Sequence, residues 1–405
     1  MAVNTQISKA QAIEQELYSH ADDGAAGNAL AAVLSEYRKA CEELLCASSE
    51  HIATYDTDHQ LWQAHLRVNN AFRREHRVLQ RSPDRVVEKR KFEKNYLHFI
   101  KASQTFYRQC ILNLDARYSG IPKLRKIAQS WKQEAPKTSG SPSIPAALNE
   151  EVLVACHQIL IHLGDLSRYR SMETEEAEKR KWGPAVGFYK LADELYPDSG
   201  HAHNQLAVIS REDGDHFRSV YHLYRSLACK KPYAQAQGNL ELEFKRIIGA
   251  WDKGQLINNH KSSDDQNAGQ ALIAWFIRLH SKLYKGEEFA AHDELEGEVL
   301  SHLAIELKER SLDAVLHKII LINLAAEYHA TVQMQSTFVT SSPLAYANIL
   351  RPRPAQEHPA NVLLLPPPER QDLLRPPPGP AARARTTLRS RRRYQDRHPR
   401  CTTLG

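Results

Sequence analysis

Two stretches of the chain carry side chains whose types and spacing suit the capture of an anion. The first, DHQLWQAHLRVNNAFRREHR, sets Trp62, Leu66, Val68, Ala71 and Phe72 on a broad apolar arc. Gln63, Arg67, Asn70, Arg74 and Arg77 fall on the remaining arc. Seven residues advance a helix to within ~20° of two full turns, so Arg67 and Arg74 point the same way, about two turns apart. A pair of guanidinium groups so placed can grip one anion between them. Residues 65–94 hold ten Lys or Arg against four acids, a local +6. A solvated basic face has the same signature.

The second stretch, IHLGDLSRYR, ends a segment that is apolar on most sides from Val152 to Leu166. Arg168 and Tyr169 therefore emerge at the end of an element held by packing, and the forked donors of an Arg match a phosphate or a carboxylate. Asp165 lies three residues before Arg168 and four before Tyr169, so a local pair on the helix accounts for the same residues. On residue chemistry alone both readings stand. His157 and His162 lie on the apolar part of this helix and read as core groups rather than metal ligands.

Other chemistries are missing from the sequence. It has no Walker-type phosphate loop, no G-x-G-x-x-G, no H-E-x-x-H and no G-x-S-x-G, and no paired-carboxylate or nucleophile arrangement stands out. The expectation is a protein that is not an enzyme and that uses no metal or cofactor. Six scattered cysteines without a C-x-x-C pair fit a reducing compartment. The opening MAVNTQISKA has no apolar core of signal-peptide length, and the most apolar later segment, AVLHKIILINLAA, is broken by His317, Lys318 and Asn323. A cytoplasmic and nuclear protein with no membrane partner is expected.

The elements that must position these residues are helices. Helical periodicity recurs along the chain and strand alternation is almost absent. Stripes predict helices over residues 28–45, 58–80, 86–114, 151–170, 184–195, 201–210, 217–228, 240–251, 270–284, 287–309 and 312–334, with a long loop over 118–145. Between Leu163 and Pro232 a tetratricopeptide-like pattern shows in Ala185, Tyr189, Ala192 and Pro197, then in Ala207, Ser219 and Ser226. The pair Leu163–Gly164 lies nine residues too far upstream, with SMETEEAEKRKWG between. Of the net charge of +6, residues 351–405 supply +8, from twelve Arg against four acids. With PPP twice and no Lys, that tail cannot bury enough surface to fold.

The segments LWQAHLRVNNAFR, KASQTFYRQCILNL, HLGDLSRYR, LADELYPDSGHAHNQLAVIS and VYHLYRSLACKKPYAQAQGNL stand in the order found in the Est/SMG family. The chain resembles that family, which comprises telomerase-binding Est-type proteins and nonsense-mediated mRNA decay factors, from about residue 59 to 240 and weakly to about 334. The resemblance implies an all-α fold: a 14-3-3-like domain with tetratricopeptide-type repeats over 1–240 (repeats about 163–232), a helical hairpin domain over 241–346, and a disordered Pro/Arg-rich tail over 347–405. It implies phosphate-binding roles for Arg67, Arg168 and Tyr169, with Arg74 as a further ligand, and peptide-backbone-binding roles for Asn204 and Asn239.

The implied function is a non-catalytic phosphoserine/phosphothreonine-peptide adaptor in nonsense-mediated mRNA decay. Its partner would be a phosphorylated RNA helicase of mRNA surveillance, with a paralogue as heterodimer partner. The alternative is a telomerase-associated protein that binds telomerase RNA or single-stranded telomeric DNA. The sequence departs from the family in the insertion after Arg170, in its tail, and in having no acidic nuclease domain after the helical region.

Overall fold

The stripes fold as helices in the computed structural model, which describes residues 2–47, 57–82, 84–118, 120–131, 146–174, 180–258, 269–284, 291–309 and 312–340. In chain order they are α1 (Ala2–Asp22), α2 (Gly27–Ala47), α3 (Thr57–Gln80), α4 (Val86–Arg117), α5 (Pro122–Ser130), α6 (Ala146–Thr174) and α7 (Gly183–Leu195). They continue as α8 (His201–Glu212), α9 (His216–Leu227), α10 (Ala236–Asp252), α11 (Gln255–Asn258), α12 (Gln270–Leu283), α13 (His292–Glu309) and α14 (Asp313–Thr340). Beyond helices, the described residues hold a single isolated parallel bridge, between Ser199 and Lys231. The expected tail from residue 347 and the KTSGSPSIP segment lie outside the described residues.

The first four helices pack as a bundle around large side chains. Phe72 of α3 meets Phe92, Tyr96 and Phe99 of α4 at ring-centroid distances of 6.1, 5.3 and 5.3 Å. Tyr37 of α2 and Tyr107 of α4 are fully buried in the same core. Burying each such ring contributes roughly 1.5–3 kcal/mol, which is why the stripe of α3 has to face inward. Its opposite arc is solvent-facing as the pattern requires: Gln63, Arg67, Asn70, Arg74 and Arg77 are all exposed.

From α6 onward the chain stacks helix against helix. α6 packs on α4 and α7, then α7 on α8, α8 on α9, and α9 on α10. The small residues of the repeat pattern sit at these crossings, with Ala185, Ala192, Ala207, Ser219 and Ser226 buried. Gly214 turns the chain from α8 into α9 at φ +74°, a conformation costly for any residue with a Cβ. Asp215 then caps α9 by accepting from the Arg218 backbone N–H at 2.8 Å. α12 packs on α10 and α9, α14 on α9, and α13 on α12. Residues Met1–Asn348 form one compact unit.

Two features correct the expectation. The segment expected as a loop over 118–145 contains α5, whose Pro122 opens the helix and whose Leu124, Ile127 and Ala128 are buried. Nine residues give too few turns for a periodic signal. α1 was not foreseen, because its inward positions include Ala10 beside Leu17, with Ile7 and Ile13 partly buried.

Candidate anion-binding site

The end of α6 is the point where buried polar chemistry concentrates. Val152, Cys156, Ile159, Leu160, Ile161, Leu163 and Leu166 anchor the helix in the core. Gly164 lets α7 come close: a Cβ there would overlap the Tyr189 ring, so the Leu-Gly pair marks a helix crossing. The Tyr189 hydroxyl is thereby delivered to Asp165, donating to its Oδ1 at 2.6 Å. The same oxygen accepts from Gln205 Nε2 at 2.6 Å and from Arg168 Nη2 at 3.0 Å.

Arg168 is largely buried, its side chain 11% exposed. Its Nε donates to the Tyr189 hydroxyl at 3.4 Å, its Nη1 reaches Met172 Sδ at 3.7 Å, and the guanidinium lies 4.7 Å from the centre of the Tyr169 ring. Burial opposes its charge, but Asp165 and the surrounding tyrosines more than offset that and raise its pKa. It is a permanent cation. A guanidinium has five N–H donors, so these contacts leave donors over for an incoming oxyanion.

The network continues across the stack. Gln205 Oε1 accepts from Asn204 Nδ2 at 3.2 Å, and Asn204 Oδ1 accepts from Asn239 Nδ2 at 2.8 Å. Arg168, Asp165, Gln205, Asn204 and Asn239 thus form one hydrogen-bonded chain through α6, α8 and α10, with Tyr189 of α7 fixed to the same carboxylate. Four of the six residues singled out in the sequence, Arg168, Tyr169, Asn204 and Asn239, belong to it or stack on it.

Arg67 and Arg74 are placed differently. Arg67 donates to Asp22 at 3.1 Å and lies 4.0 Å from the centre of the Tyr18 ring, both on α1. Arg74 is exposed and makes no ion pair among the described residues. The face of α3 that meets α6 is marked by Trp62, stacked on His162 at 4.0 Å. Five residues on, Arg67 points ~140° away from Trp62; eleven residues on, Arg73 points within ~20° of it.

Arg73 is accordingly the arginine of α3 that reaches α6, donating from Nε to Glu173 Oε1 at 2.8 Å. His76 Nδ1 meets Glu173 Oε2 at 2.6 Å, and its ring stacks on Phe92 at 5.0 Å. Burial alone would raise the pKa of Glu173; His76 and Arg73 reverse that and hold it below the usual carboxylate range. Burial raises the pKa of the Tyr169 hydroxyl, with Asp165 pushing the same way and Arg168 and Arg73 opposing. The signal for Arg73 was present in the sequence as its helical phase relative to Trp62. Gln205 and Glu173 gave none, since they meet their partners across 40 and 100 residues.

The two histidines of α6 are core groups. His157 Nδ1 meets the Ala192 carbonyl at 3.0 Å, and burial pushes its pKa down. His162 pairs with Asp58 at 3.2 Å. Among the described residues no group of three or more His, Cys, Asp or Glu is arranged to hold a metal ion, and no helix is long and apolar enough to cross a membrane.

Two family profiles match the chain. "Telomerase activating protein Est1" covers residues 56–174 and "Est1 DNA/RNA binding domain" covers 185–349. The chain is 28% identical over 233 residues to nonsense-mediated mRNA decay factor SMG7 of Arabidopsis thaliana, covering 55% of this chain and 22% of that protein. It is 29% identical over 197 residues to telomere elongation protein est1 of Schizosaccharomyces pombe, covering 46% of this chain and 39% of that protein. It therefore spans about a fifth of the SMG7 relative's length. Among solved structures, a chain in the crystal structure of Est1 and Cdc13 superposes with a TM-score of 0.60 at 11% identity, over 85% of this chain and 67% of that one. That likeness is one of fold.

Proposed function

The chain belongs to the Est1 family, shared by telomere elongation and nonsense-mediated mRNA decay proteins, and from that premise we propose that it is a non-catalytic adaptor that binds phosphoserine or phosphothreonine peptides. Its place would be the cytoplasm and nucleus, where it would bring a phosphorylated RNA helicase of mRNA surveillance to decay factors. One observation carries this reading: a permanent buried cation, Arg168, is joined by an unbroken hydrogen-bonded chain to Asn204 and Asn239. A phosphate brings about −1.5 to −2 charge and three acceptor oxygens, for which the guanidinium supplies the donors. The two asparagine side chains, oriented through Gln205, supply amide groups of the kind that hold an extended peptide backbone.

The test is calorimetry of the full chain with a panel of phosphorylated Ser-Gln peptides and their unphosphorylated forms. Binding of the phosphorylated form alone is expected. Arg168→Gln should weaken it roughly 10- to 100-fold, the equivalent of about 1.5–3 kcal/mol of charge-assisted bonding. Gln is chosen because Glu would set a second carboxylate against Asp165. Equal affinity for the two peptide forms overturns the reading.

A second reading, binding of telomerase RNA or single-stranded telomeric DNA, draws support from the family description over 185–349 and from the basic window at 65–94. Phosphate-backbone binding would show an affinity that falls steeply and linearly with the logarithm of salt concentration. The same calorimeter, loaded with an oligonucleotide, separates the two.

A further inference from the structure

The anion site has a second half that the sequence pattern did not mark. Arg73 and His76 stand one helical turn apart on the face of α3 turned to α6, and both bond the same carboxylate, Glu173. Glu173 follows Tyr169 by one turn on α6, so it lies on the side of the helix that carries the Tyr169 ring. Arg168 and Arg73 both act on the Tyr169 hydroxyl, and Tyr96 feels Glu173, Arg73 and Arg168 together. Arg168 stacks over the Tyr169 ring at 4.7 Å, Arg73 and His76 hold Glu173 one turn further along α6, and each guanidinium is held by an acid of α6.

The two acids differ. Asp165 is locked by Tyr189 and Gln205 as well as by Arg168, so it cannot leave without breaking the stack. Among the described residues Glu173 bonds Arg73 and His76; it belongs to the last turn of α6 and to the segment SMETEEAEKRKWG that follows Arg170. Residues 175–183 of that segment fall between the two family matches, and Glu173 lies just inside the end of the first.

We propose that Arg73 and His76 are phosphate ligands that act together with Arg168, and that Glu173 is their resident occupant in the free protein. The insertion would therefore tune how readily the site accepts a ligand. The inference rests on the phosphopeptide reading and adds to it a second binding subsite and an internal competitor. A carboxylate offers one charge and two oxygens where a phosphate monoester offers nearly two charges and three oxygens. A phosphopeptide therefore displaces Glu173, with its affinity scaled down to the fraction of molecules in which Glu173 has left the subsite.

The experiment measures one phosphoserine peptide from the Ser-Gln panel against wild type, Glu173→Gln, Arg73→Gln and the double variant, with thermal unfolding of each recorded. Glu173→Gln is expected to bind about tenfold tighter than wild type. Arg73→Gln should bind weaker, and the double variant should lose the gain. Titration of wild type with inorganic phosphate, followed by the His76 imidazole resonances, gives a readout that needs no variant; movement of those resonances supports the subsite.

If Glu173→Gln and Arg73→Gln bind as wild type does, while Arg168→Gln shows the weakening expected above, the inference fails and the phosphopeptide reading survives. A loss of thermal stability in Glu173→Gln without a gain in affinity marks the trio as a clamp between α3 and α6, and also overturns it. If neither wild type nor any variant binds the phosphorylated peptide, the phosphopeptide reading itself falls.

Discussion

Arg168 is open to two readings in the sequence, a local pair with Asp165 or a ligand for an anion; the structure shows the first, and the second is the proposal made above. The pair is real at 3.0 Å, and Asp165 is the hub that also orders Tyr189 and Gln205. Removing the hub tests this. Asp165→Ala leaves the Arg168 guanidinium buried with no carboxylate beside it, and breaking a buried pair by removing one partner costs about 3–5 kcal/mol. Urea unfolding should show a loss of that size; a loss below about 1 kcal/mol would mean that Arg168 swings out to water and is not held. The i,i+3 spacing made the Asp165 contact readable. Gln205 was unreadable because its partner lies 40 residues away; the seven-residue spacing and the family pattern both mark Arg67, whereas Arg73, which reaches α6, stands out only by its helical phase relative to Trp62.

Elements were easiest to read where the stripe was long and its members large. α3, α4 and the stack from α7 to α9 lie within a few residues of expectation because rings and branched chains recur at helical spacing. α1 and α5 escaped, the one because an alanine serves as a core position, the other because nine residues make few turns. The crossing of α6 and α7 tests the element-level account. Gly164→Ala places a methyl group in the space of the Tyr189 ring, so the helices must part or the ring must swing, and either weakens the Tyr189–Asp165 bond. Overpacking of this kind costs roughly 1–3 kcal/mol, even though Ala is the better helix former by ~1 kcal/mol. A lower melting temperature with unchanged far-ultraviolet circular dichroism is expected; a higher one would show that the close approach at Gly164 is not tight.

Over the whole molecule, the polar groups that join helices make stability depend on pH in a direction that can be worked out. His280 of α12 is buried and bonds Asn323 of α14 through Nε2 at 2.8 Å. Burial depresses its pKa to about 4. His203 of α8 is likewise buried and depressed to about 4, its Nδ1 3.0 Å from His222 Nδ1 of α9. In that contact one ring donates and the other accepts, so at least one stays neutral. An unfolded histidine titrates near 6.5, so between about pH 6.5 and 4 the unfolded chain takes up protons that the folded chain refuses. The unfolded state binds more protons across that window, and stability therefore falls as pH is lowered through it. For His280 alone the loss at pH 5 is about 2 kcal/mol. Glu173, held below the usual carboxylate range, adds to the decline at lower pH, where the unfolded carboxylate takes up a proton that the folded one refuses. Urea midpoints at pH 7.5, 6 and 5 should decline in that order, and His280→Gln, which keeps a donor toward Asn323 but cannot titrate, should flatten the decline. If His280→Gln follows the same slope as wild type, the acid sensitivity arises elsewhere, and the contact between α12 and α14 is not what fails first.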